Sequence, residues 1–106
     1  SRYAEGFWVK DHPWYSRLFL DPAFVAKIKT RFAYFKQNQQ FILDKIDNHA
    51  KNLQWAQQEN DNKWNTIGMY VWPNPVVFET YDEEVEHLKS WYIERMNWLE
   101  TAYSNM

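Results

Sequence analysis

Three features predict an all-α fold. Apolar residues recur at intervals of three and four over long stretches. Only two Gly and four Pro punctuate the 106 residues, which suits long helices better than strands and tight turns. Pairs that open helices (His-Pro, Asp-Pro, Thr-x-x-Glu) stand where the periodic stretches begin. The prediction is one helical domain over residues 1–106. It is a bundle of three main helices plus a short N-terminal one, with a long aromatic, proline-containing connection before the last helix.

Residues 1–12 mix Tyr3, Phe7 and Trp8 with charges and Gly6, without helical period. They predict an extended lead-in whose aromatic rings dock on the helices. His12-Pro13 opens the short helix WYSRLFL, with proline in the first turn, where its missing N–H costs nothing. Asp21-Pro22 repeats the device, with Asp21 as N-cap. The helix that follows, to about Lys36, carries Phe24, Ile28, Phe32 and Phe35 on one side, with Arg31 among them. The QNQQ stretch at 37–40 contains no Gly or Pro, so a bend and a continuous helix are both open there.

From Phe41 to about Asn62 a seam of Ile42, Ile46, His49, Leu53, Ala56 and Asn60 steps by four and three, as bundle seams do. Trp55 lies roughly opposite that seam. In the connection from 62 to 79, Gly68 and the WPNP run at 72–75 exclude regular helix. MYVW and VVF each allow a few residues of extended chain, as in a short hairpin. Thr80 and Glu83 then form a capping box, and Asp82, Glu83 and Glu84 complement the helix dipole. Behind them Tyr81, Val85, Leu88, Tyr92, Met96, Leu99 and Tyr103 draw one apolar stripe.

Composition narrows the function classes. The formal net charge is −2 with both signs mixed, so there is no basic footprint for nucleic acid. Cysteine is absent, which leaves no disulfide framework and no thiolate zinc site. No apolar run approaches the roughly 20 residues of a membrane span. The abrupt opening SRYAEGFWVK predicts that the segment belongs to a longer protein.

Three stretches carry a family resemblance: WYSRLFLDPAFVAKIKTRF, LQWAQQENDNKWNTIG and TYDEEVEHLKSWYIERMNWLE. Their pattern rests on Trp14, Arg17, Leu18, Asp21, Pro22 and Phe24, on Asn60 and Trp64, and on Glu84, Val85, Leu88, Trp91, Arg95, Trp98 and Leu99. From about Phe7 to Tyr103 the chain resembles the C-terminal end of the spore-coat CotH kinase-like family, whose relatives include secreted and surface proteins of Bacteroides-type bacteria. The resemblance implies an intact protein that transfers phosphate from ATP to serine with a divalent metal, in an extracytoplasmic or cell-surface setting. It also implies that the nucleotide- and metal-binding residues lie upstream. This chain contains no phosphate loop or metal-binding acid pair, so it is expected to be non-catalytic and to bind no cofactor itself.

The remaining polar candidates favour structure over chemistry. Arg17, Arg31 and Arg95 sit on faces expected to be buried, where a guanidinium needs a partner. Asp21 and Glu84, with Asp47 as an outsider, are the acids placed to supply bidentate pairing. The expectation is an interhelical polar network; an anion clamp is the rival. His49 lacks the further ligands and spacing of a zinc site and is expected as a satisfied core histidine. Asn60 is expected to bond the backbone of the connection. Trp55, Tyr70, Trp72 and Phe78 exceed what a small core can use. They predict an interface with an upstream domain, a stacking platform for a glycan or a surface-protein partner, or plain packing beneath the 62–79 connection.

Overall fold

The computed structural model describes residues 3–106. Among these residues five helices form: α1 (Pro13–Leu18), α2 (Pro22–Gln37), α3 (Gln39–Asn52), α4 (Gln54–Trp64) and α5 (Tyr81–Ser104). No strand occurs among the described residues, so the class is all-α.

The helix starts follow local chemistry. Asp21 Oδ1 accepts from Ala23 N at 2.8 Å at the head of α2, with Pro22 in its first turn. His12 Nδ1 caps α1 more loosely, accepting from Trp14 N at 3.5 Å. At α5 the capping box closes in both directions: Glu83 N donates to Thr80 Oγ1, and Thr80 N to Glu83 Oε2, each at 3.2 Å. Glu83 Oε2 also accepts from Glu79 N at 3.0 Å, so one carboxylate satisfies two backbone donors ahead of the helix.

One break falls in the 37–40 stretch left open above, and a second divides the helix expected from Phe41 to about Asn62. Asn38 ends α2 with φ −100° and ψ 16°, and its side-chain amide donates back to Tyr34 O at 2.8 Å. The QNQQ stretch therefore bends, because Asn satisfies a helix-end carbonyl without glycine. The second break is at Leu53, with φ −88° and ψ 0°. Leu53 N still donates to His49 O at 2.9 Å and Gln57 N to Leu53 O at 2.8 Å. The ladder continues while the helical phase shifts.

By packing, the described residues fall into two compact units. One joins residues 3–39 to 93–106; the other comprises 40–92. In the first, Met96 of α5 is 6% exposed and Ala4 is buried with it. Phe7 of the lead sits among rings, 4.9 Å from Trp98, 5.4 Å from Tyr103 and 6.2 Å from Phe19. Phe32 reaches Tyr103 at 5.0 Å. Lys36 ties α2 to α5 through Glu100 at 3.2 Å and Asn97 at 2.6 Å. The lead is thus held by aromatic packing, as its composition predicts.

In the second unit Leu43 is the buried apolar side chain. The Tyr81 hydroxyl donates to Ala50 O at 3.1 Å. Lys89 bridges Asp47 at 2.9 Å and Glu86 at 3.3 Å. Asp47 first, then Glu86, hold the Lys89 ammonium pKa above its ordinary value. The connection forms no hairpin ladder: Gly68 N donates to Phe78 O at 3.0 Å, and a turn closes from Asn74 N to Val71 O at 2.8 Å.

Candidate docking surface

The apolar side chains outnumber the interior available to them. Three described hydrophobic residues are buried (Ala4, Leu43 and Met96), whereas twenty large hydrophobic residues are exposed. Isolated exposed leucines are ordinary. Trp14, Trp55 and Trp72 at 77%, 76% and 80% exposure are not, because each indole carries on the order of 200 Å² of mostly apolar surface.

Trp55 projects from α4, on the side away from Gln57 and Asp61, which are partly buried. Tyr70 and Trp72 lie at the tip of the connection, and Tyr70 is 66% exposed. Phe78, grouped with them by composition, turns inward. It is partly buried, with its ring 5.0 Å from His87 and its N–H donating to Glu84 Oε1 at 3.2 Å. The tip is anchored at its base. Asp61 Oδ1 accepts from Thr66 N and Ile67 N, both at 2.8 Å, and the C-cap Asn65 takes a left-handed φ of 50°. Exposed rings on a pinned loop lose little freedom when they bind.

The polar residues are dispersed and do not form one network. Asp21 is occupied as an N-cap, and Glu84 holds the Phe78 amide. Arg31 is exposed, its guanidinium 5.0 Å from both the Tyr34 and Phe35 rings of its own helix. Arg95 is partly buried, yet no carboxylate pairs with it among the described residues. It donates to Ala4 O at 2.8 Å and Gly6 O at 2.6 Å. Its guanidinium lies 4.4 Å from the Trp8 ring and 5.2 Å from Trp98. Burial lowers the Arg95 pKa, and the neighbouring Tyr103 opposes that shift. Carbonyls and π-faces thus do the work expected of Asp21 and Glu84. Among the described residues no polar or charged residue is fully buried, and the partly buried Arg95 is satisfied by carbonyls in place of a carboxylate.

His49 and Asn60 are exposed and leave the expected seam. The partly buried face runs through Ile42, Ile46 and Ala50 and resumes, after the shift at Leu53, at Gln57 and Asp61. The backbone-anchoring role expected of Asn60 belongs to Asp61, one residue later. Sequence reasoning missed Asp61, although D-N-K-W-N-T carries a readable signal: an acid placed to accept from a turn after a helix C-terminus.

The geometry describes a helical scaffold that displays aromatic rings. Among the described residues no group of three or more His, Cys, Asp or Glu could hold a metal ion. No helix of the described residues is long and apolar enough to cross a membrane.

Comparison with known proteins places the chain in a family. Residues 2–99 match the family model described as CotH kinase protein, and the chain belongs to that family. No curated protein and no solved structure matches it.

Proposed function

We propose that this chain is a non-catalytic helical part of a larger CotH-type protein, that it completes the core of that protein, and that its exposed aromatic surface is the contact. The observation that carries the proposal is the imbalance, among the described residues, between three buried apolar residues and twenty exposed large ones, with three indoles more than three-quarters exposed. Apolar surface on that scale marks a partner site. The partner is the remainder of the same polypeptide, in which ATP, a divalent metal and serine phosphorylation belong. An extracytoplasmic or cell-surface setting is part of the same proposal and rests on the family resemblance.

The test is phosphate transfer from ATP to serine by the intact protein in the presence of a divalent metal. Activity is expected from the intact protein and not from residues 1–106. Transfer by residues 1–106 alone would refute the non-catalytic assignment.

One observation favours a second reading. Residues 64–78 contain no charged side chain while displaying Trp64, Tyr70 and Trp72. A neutral aromatic tip suits the C–H faces of an uncharged glycan, whose weakly positive hydrogens pack on π-clouds. Binding of residues 1–106 on a glycan array, abolished by Trp55→Ala or Trp72→Ala, would establish this reading in place of the first.

A further inference from the structure

The contact proposed above has a candidate anchor on α1. Trp14, Arg17 and Leu18 fall at positions i, i+3 and i+4, so they share one side of the helix. With Pro13 and Asp21 they line an apolar cleft of about 460 Å³. Trp14 is 77% exposed, Leu18 44%, and Leu20 just beyond the helix 81%. The scaffold behind them is fixed: Phe19 packs edge-on against Phe24 at 5.5 Å, and the turn after α1 closes through Leu20 N to Arg17 O and Asp21 N to Leu18 O, each at 3.1 Å.

Charge indicates what covers this cleft. Arg95 is bonded to carbonyls and Arg31 lies against rings, but the Arg17 guanidinium has no hydrogen bond, ion pair or ring contact among the described residues. The other ionic residue on the cleft, Asp21, already caps α2. From Lys10 to Arg31 the chain has five Lys or Arg and only two Asp, although the whole chain is net negative. Trp and Arg are the residue types that most often anchor interfaces, and a planar guanidinium beside apolar surface favours a bidentate carboxylate.

We infer that the Trp14–Arg17–Leu18 face docks an apolar surface of the rest of the CotH-type protein that carries an Asp or Glu paired with Arg17. This rests on the reading that the chain is part of a larger protein.

Hydroxyl-radical footprinting of the intact protein, read by peptide mass spectrometry, tests it. Trp14 should be oxidised at least about fivefold more slowly in the native protein than in urea, as expected for a desolvated anchor. Arg17→Glu should raise the native Trp14 rate towards the unfolded rate, and Arg17→Lys should retain most of the protection. If Arg17→Glu fails to fold by circular dichroism, Arg17→Met serves instead and should lose part of the protection. A Trp14 rate near the unfolded value overturns the inference, and protection that ignores both Arg17→Glu and Arg17→Met overturns the acidic partner. Trp55 and Trp72 separate this inference from the broader one. If they are protected while Trp14 is not, only the α1 anchor fails; if all three react freely, both proposals fail.

Discussion

Arg95 and Trp8 form the clasp that fixes the N-terminal lead. The guanidinium lies 4.4 Å from the Trp8 ring while donating to the carbonyls of Ala4 and Gly6 on the same segment. One side chain of α5 thereby satisfies two backbone acceptors and stacks an indole. Replacing it with Met keeps bulk and removes the donors. Arg95→Met should destabilise the protein by about 2–3 kcal/mol, the scale of charge-assisted hydrogen bonds, and Arg95→Lys should recover less than half. Denaturant unfolding measures both. An unchanged midpoint for Arg95→Met would remove the clasp from the account.

Gly6 tests the same clasp from the backbone side. Its φ is +96°, and an added Cβ would sit 3.2 Å from Trp8 Nε1. Gly6→Ala should therefore cost about 1–2 kcal/mol from the left-handed φ, with the Trp8 contact adding to it. Thermal melting should show the loss, and Gly6→D-Ala in a semisynthetic chain should relieve the φ part of it.

The connection provides a comparison between adjacent residues. Asp61→Ala removes the acceptor for Thr66 N and Ile67 N and should cost about 2–3 kcal/mol. Asn60→Ala, on the exposed neighbouring position, should change stability by less than about 0.5 kcal/mol. Hydrogen exchange at the two amides gives a local reading, with protection lost in Asp61→Ala and kept in Asn60→Ala. The opposite order would restore the seam expected from the apolar period.

That pair also shows how much of the molecule the sequence disclosed. The starts of α1, α2 and α5 were legible because His12-Pro13, Asp21-Pro22 and Thr80-x-x-Glu83 act within one turn. The all-α class was legible because the period of three and four persists over long stretches. The phase of the residue 41–62 seam was not: the shift occurs at Leu53, which bears no Gly or Pro to announce it. Leu88, counted in the α5 stripe, is 51% exposed, since a stripe gives an orientation and not the extent of its cover. The partners of Arg95 were hidden for another reason. Main-chain carbonyls have no residue type, so a sequence-level search for carboxylates could not find them.

Alkaline pH should loosen the unit that contains Tyr103. Burial raises the pKa of its phenol above the ordinary value of 10.0, and the Arg95 charge pulls it the other way more weakly. A folded-state pKa above the unfolded one means that folding favours the protonated phenol. Its contribution is complete below pH 10 and is lost as pH rises through the folded pKa. Ultraviolet titration should show two tyrosines, Tyr103 and the likewise partly buried Tyr92, ionising later than free tyrosine, with unfolding midpoints falling above pH 10. Tyr103→Phe should weaken that alkaline fall.

The central claim is that the exposed indoles are contacts within a larger CotH-type protein. An experimental structure of the intact protein, read for the solvent exposure of Trp55 and Trp72, tests it most directly. The account predicts that both rings, exposed by 76% and 80% here, become buried against the rest of the polypeptide. Rings still open to solvent there would contradict it.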